Sequence, residues 1–90
     1  MNLKSEKVRI EKGSTAIVAG GAFMITLTGI SINGAKITLG AVGSPNQYAE
    51  INLGEFIQYD AGEAGTYEIR LLTINLAYEE AGEFLITKIR

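Results

Sequence analysis

The amino-acid sequence predicts an all-β fold: a small β-sandwich or partly open barrel of two pseudo-repeated antiparallel halves. Three observations predict it. Twelve isoleucines, seven threonines and four tyrosines favour a pleated, half-buried surface. Apolar residues recur with period two, and no window carries a sustained helical stripe at i, i+3, i+4 and i+7. The same apolar spacing occurs twice along the chain. Ninety residues allow one domain over 1–90, with the pseudo-repeats at about 8–39 and 49–89.

The elements follow in order. Val8 and Ile10 alternate with Lys7, Arg9 and Glu11, the pattern of a half-exposed strand. From Ala22 to Thr28, Phe23, Ile25 and Leu27 share one face, and Met24, Thr26 and Thr28 share the other. Asn33-Gly34 between apolar flanks predicts a type I′ hairpin turn with Gly34 at positive φ. That turn would set Ile32 opposite Ala35 and Ile30 opposite Ile37, all on one face with Leu39. Gly40 to Gln47, with the only proline at Pro45, is the longest expected loop. Strands resume at Ile51 and Leu53, at Tyr67, Ile69 and Leu71, and at Phe84 and Ile86.

The repeat is the most informative feature. Each copy opens on Ile-x-x-Gly, at Ile10 to Gly13 and at Ile51 to Gly54. Phe23-x-Ile25-x-Leu27-x-x-Ile30-x-Ile32 then matches Tyr67-x-Ile69-x-Leu71-x-x-Ile74-x-Leu76. In both, the period of two slips by one residue, after Leu27 and after Leu71. A slip of one would turn every later side chain to the other face. A β-bulge absorbs it, with Gly29 suited to the first. Each copy closes with a hairpin whose far side carries Ile37 or Ile86, and the halves should meet at Ile25, Leu27, Ile69 and Leu71.

Composition removes several chemistries. The chain has no cysteine and no histidine, so thiol chemistry and imidazole-based triads or metal sites are excluded. A formal net charge of −2 gives no general attraction to nucleic acid. Met1 to Lys7 is polar and lacks the apolar core of a signal peptide. Gly13 to Ala35 is uncharged, but its period of two fits buried strands better than a membrane span. Glu79, Glu80 and Glu83, or Glu55 with Glu63, are the carboxylates available for acid–base work, and they read as solvated turn residues. Tyr59 to Gly65 offers a few oxygens to calcium but not a ladder of acidic positions. Gly20-Gly21 and Gly40 to Ser44 precede no helix, so they read as turns rather than phosphate cradles. Lys4, Lys7, Arg9 and Lys12 interleave with Glu6 and Glu11, as on a solvated edge strand guarded by lysine. The expectation is therefore no enzyme, no cofactor, no metal, no nucleic acid and no membrane insertion.

The repeated pattern of Ile-x-x-Gly, an aromatic residue and Ile-x-Leu-x-x-Ile, from about Val8 to Ile89, resembles small β-sandwich modules of surface-layer and accessory envelope proteins. Small virion modules, such as head-decoration or tail components, fit comparably. The resemblance implies a non-catalytic building block and carries no site residues with it.

Between Gly13 and Ala49 the only charge is Lys36, and Met24, Thr26 and Thr28 form an uncharged outward row. Depletion of charge marks the centre of protein interfaces, so these three residues are the candidate interface. The expected partners are copies of the chain or other protein subunits. Residues 1–45 sum to +3 and 46–90 to −5, which predicts head-to-tail contacts between opposite-sign halves, weakened by salt. The alternative function is a small ligand-binding module, most simply for carbohydrate, using exposed tyrosines among Tyr48, Tyr59 and Tyr78.

Overall fold

The structure is a computed structural model, and it describes residues 5–90. Lys4, part of the basic cluster, and the start of the N-terminal segment lie outside the described residues. The strands are β1 (Ser5–Glu11), β2 (Thr15–Val18), β3 (Phe23–Ile30), β4 (Gly34–Gly40), β5 (Gln47–Asn52), β6 (Phe56–Asp60), β7 (Thr66–Asn75) and β8 (Ala81–Lys88). They form two four-stranded antiparallel sheets, ordered β1-β8-β7-β6 and β2-β3-β4-β5. The sheets pack face to face as a sandwich, and no closed barrel forms among the described residues.

Alternation fixes which side of each strand faces inward. Phe23, Ile25 and Leu27 of β3 meet Ile37 and Leu39 of β4, and Ile69 and Leu71 of β7 meet Phe84 and Ile86 of β8. All nine are at most 2% exposed and belong to one core cluster, so the expected meeting point of the halves is buried. Phe23 stands between Tyr59 and Tyr67, with both ring centroids 5.0 Å away in tilted geometry.

The duplication is exact enough to be read in the backbone. Register shifts fall between Leu27 and Gly29 in β3 and between Leu71 and Thr73 in β7, the two slips the sequence predicts. Gly13 N–H donates to the Leu27 carbonyl at 2.7 Å, and Gly54 N–H donates to Leu71 at 2.9 Å. The Leu27 and Leu71 amides answer with bonds to Ser14 and Glu55, each 3.1 Å. Lys12 N–H reaches the Glu80 carbonyl as Leu53 N–H reaches Asn33. The hairpin equivalents are Ile37 with Phe84 and Leu39 with Ile86, because each pair takes the same cross-strand partner. The expected match of Ile37 to Ile86 is therefore displaced by one pair. Thr73 stands where Gly29 does, so the bulge itself does not require glycine.

Each sheet, however, is not one half of the chain. The first strand of each unit crosses to the opposite sheet: β1 pairs with β8, and its counterpart β5 pairs with β4. The two units are thus interlocked. Three-residue connections make both crossings, and each turns on a glycine at positive φ, Gly13 at +88° and Gly54 at +84°. Nothing lies within 4 Å of a Cβ built at either position. Strain at φ alone should then set the penalty for alanine. Gly13→Ala and Gly54→Ala should each destabilise by about 1 kcal/mol, and by the same amount within error. Urea midpoints of the two variants check this.

The β3–β4 turn differs from its prediction. Gly34 is not at positive φ. Ser31 N–H bonds the Gly34 carbonyl at 2.9 Å, and Ile30 pairs with Ala35, leaving Ile32 in the turn and 76% exposed. The cause is the bulge, which shifts the inward side from Leu27 to Ile30. Gly34 is instead demanded by β5: a Cβ there would sit 2.4 Å from the Ile51 carbonyl oxygen.

Candidate functional site

Met24, Thr26 and Thr28 alternate with residues buried to 1% or less, which turns them to the outer face of the β2–β5 sheet. Register places neighbours beside them. Met24 lies between Ile17 and Gly40, and Thr26 lies between Thr15 and Thr38, which in turn faces Tyr48. The Thr15 and Thr26 hydroxyls bond each other at 2.7 Å, and the Thr28 hydroxyl donates to the Lys36 carbonyl at 3.0 Å. These bonds order the threonine side chains against their own sheet. Ile17 (70% exposed), Met24 (45%) and Tyr48 (77%) supply apolar area around them. Lys36 and Glu50, directly opposite each other, are the only charged residues in this sheet and lie toward its β3–β4 turn end. Ile17 and Thr15 were not picked out from the sequence, although period two through β2 points to both.

The outer face of the other sheet is a charged mosaic. β1 contributes Lys7 and Arg9, beside Glu83 of β8 and Glu68 and Arg70 of β7. Arg9 bonds Glu11 at 3.1 Å and Glu79 at 3.4 Å, and Lys12 lies 3.8 Å from Glu80. A hydrogen bond with Glu79, and then one with Arg9, holds the Glu11 carboxyl below the ordinary carboxylate range. The Arg70 guanidinium covers the Phe56 ring at 4.9 Å and donates to the Gly54 carbonyl at 2.8 Å.

This arrangement corrects the opposite-sign reading. β1 carries Lys7 and Arg9, together with both acidic residues of the first half, Glu6 and Glu11, into the sheet built by the acidic second half. There Arg9 and Lys12 pair with its glutamates. Among the described residues, charges of both signs from the first half thus lie beside those of the second, and the segregation along the sequence is mixed in space.

The remaining candidates are dispersed. Glu79 and Glu80 are held by Arg9 and Lys12, and Glu83 accepts from the Thr73 hydroxyl at 3.2 Å. Asp60 spends one carboxylate oxygen on the Gly62 amide at 2.9 Å, tightening its own loop, and among the described residues no three acidic side chains gather as a metal site. Gly20-Gly21 lies in a single 3₁₀ turn that leads into β3. Among the described residues no helix is long and apolar enough to cross a membrane. Beside the β3–β4 turn, a half-open cleft of ≈570 Å³ is lined by polar groups including Lys12, Ser31, Asn33 and Asn52.

Tyr59 is not an exposed ligand-binding tyrosine. It is 2% exposed, packs on Phe23 and takes the place that Val18 holds in the first unit. Its hydroxyl has no hydrogen-bond partner, whereas that of Tyr67 donates to the Ala64 carbonyl at 3.1 Å. Burial, and then the charge of Asp60, raise the Tyr59 phenol above its ordinary value. A buried hydroxyl without a partner costs about 1–3 kcal/mol, so Tyr59→Phe should stabilise the fold by about 1 kcal/mol. The linkage has a definite sign. Above about pH 10 the unfolded phenol loses its proton first, so native stability falls as pH rises toward the raised folded value. Urea midpoints measured from neutral to alkaline pH should show a decline that Tyr59→Phe reduces.

No protein-family model matches the chain, and no curated protein or solved structure is found similar to it.

Proposed function

We propose that this protein is a non-enzymatic structural module that associates with copies of itself through the outer face of its β2–β5 sheet. Modules of envelope layers and virion particles do work of this kind, and the resemblance in the repeated strands supports that setting. One observation carries the reading: the two outer faces of one sandwich differ in charge. One face is a stitched mosaic of Lys, Arg and Glu, while the other is a field of threonine with Ile17, Met24 and Tyr48 whose only charges, Lys36 and Glu50, sit opposite each other toward one end. Removing charge from the centre of a patch lowers the desolvation cost of covering it. Because the charges are mixed in space, association through this face should hold or strengthen as salt rises rather than weaken. Light scattering across a salt series, on the parent chain and on Met24→Lys, tests it. The parent should associate at all salt concentrations and the variant should lose mass; a variant as associated as the parent contradicts the assignment.

The polar cleft beside the β3–β4 turn supports a second reading, carbohydrate binding. With Tyr59 buried, Tyr48 and Tyr78 remain as the exposed candidate tyrosines, and they lie apart in the fold, Tyr48 on β5 and Tyr78 in the β7–β8 loop. Saturable binding of a soluble oligosaccharide by a monomeric chain would favour that reading.

A further inference from the structure

The interlocked duplication leaves the sandwich with two lateral sides that are equivalent in backbone and unlike in side chains. One side shows edge strands β1 and β2, and the other shows their counterparts β5 and β6. An edge strand presents unpaired N–H and C=O groups and invites another strand unless it is guarded. β1 is guarded: Glu6, Lys7, Arg9 and Glu11 place four charges on seven residues. Its counterpart β5 has Gln47, Tyr48, Glu50 and Asn52 at the matching positions, so one charge remains. Tyr48 stands where Lys7 does. β6 adds only Asp60 at its end, and its counterpart β2 carries no charge on its four residues, so the difference between the sides rests on β1 against β5. Neither β5 nor β6 contains proline or lysine, and no register shift interrupts the pairing of either with its neighbour.

We infer that the β5/β6 side is an interface for a second copy of this chain, closing a two-fold dimer in which both sheets continue across the contact. Symmetry selects this occupant. A two-fold axis perpendicular to the sheets sets β5 against β5 and β6 against β6, each antiparallel. A free edge offers alternating donors and acceptors, so its own two-fold copy satisfies both sets. Two eight-stranded layers result. On the other side the four charges of β1, beside a β2 of only four residues, stop further lateral growth, which makes the product a closed dimer rather than a ribbon. This contact differs from the Met24 face proposed above, although Tyr48 borders both. Together they give each subunit two surfaces, as a layer needs, since one isologous contact alone ends at the dimer.

Sedimentation velocity and hydrogen exchange over a dilution series test the inference on the intact chain. Gln58→Lys is the edge variant, because Gln58 is exposed at the middle of β6 and lies on the sheet opposite Met24. The two-fold contact sets the new charges of the two subunits near one another, so dimerisation should weaken by about tenfold or more. Raising the concentration of the parent chain should slow exchange of β5 and β6 amides and leave β1 and β2 unchanged. A dimer indifferent to Gln58→Lys but abolished by Met24→Lys overturns the edge contact and leaves the face reading standing. A dimer lost with Gln58→Lys and indifferent to Met24→Lys supports the edge contact and removes the face. A parent chain that stays monomeric at about 0.5 mM, weaker than any Kd a useful contact of this kind would have, overturns both.

Discussion

Leu71→Ala should destabilise the protein by about 3–5 kcal/mol, more than any surface substitution. Leu71 is fully buried, faces Phe84 across β7 and β8, and accepts the Gly54 hydrogen bond that ends the crossing into β6. Truncation removes transfer free energy and leaves a cavity between two sheets that are tied together at both crossings and cannot close on it. A chain of this length has roughly 5–13 kcal/mol of stability in total, so the loss is a large fraction. Leu27→Ala, at the equivalent position against Ile37, should cost a similar amount. Chemical denaturation of both variants measures this. A cost under about 1 kcal/mol at either site would mean that the two units do not share one close-packed core.

The second large effect is at Gly34. Alanine there would bring its Cβ to 2.4 Å from the Ile51 carbonyl oxygen and 3.0 Å from the Asn52 Cα. Both are backbone, so no side chain can rotate away; β5 must move, against its ladder to β4 and the burial of Ile51. Gly34→Ala should therefore cost about 1–3 kcal/mol. Asn33→Ala separates this cause from the turn chemistry that Asn-Gly suggests. A type I′ turn would need Asn33 at positive φ, but Ala19 is the only non-glycine residue there among those described. Asn33→Ala should accordingly stay within about 0.5 kcal/mol of the parent. Equal losses at both positions would restore the positive-φ turn.

These two sites show what the sequence reveals and what it hides. The alternation of Phe23, Ile25 and Leu27, its copy at Tyr67, Ile69 and Leu71, and both bulges are written in residue spacing, because period and burial are local. The partner of an edge strand is not. Val8 and Ile10 alternate with charges in a way that either sheet would accept, so the crossing of β1, and with it the mixing of charge, needed the structure. Gly34 shows the same limit: its glycine answers to a strand that arrives from 17 residues further along, at Ile51. Tyr59 was legible in principle, since it matches Val18 in the repeat. Of the candidate interface, the alternation placed Met24, Thr26 and Thr28 on one side, and pairing register set Ile17 and Tyr48 beside them.

The most direct measurement of the central claim, association through the charge-poor face, uses the Met24 methyl group as a reporter. The chain has only two methionines, so its side-chain methyl resonance is simple to assign. Methyl and amide spectra recorded over a dilution series should show Met24, together with the amides of Ile17, Thr26 and Tyr48, shifting with concentration. Lys7, Arg70 and Glu83 on the charged sheet should stay fixed. Shifts confined to the charged sheet, or a Met24 methyl that does not move while the mass stays at the 9.6 kDa of one chain, would contradict the account.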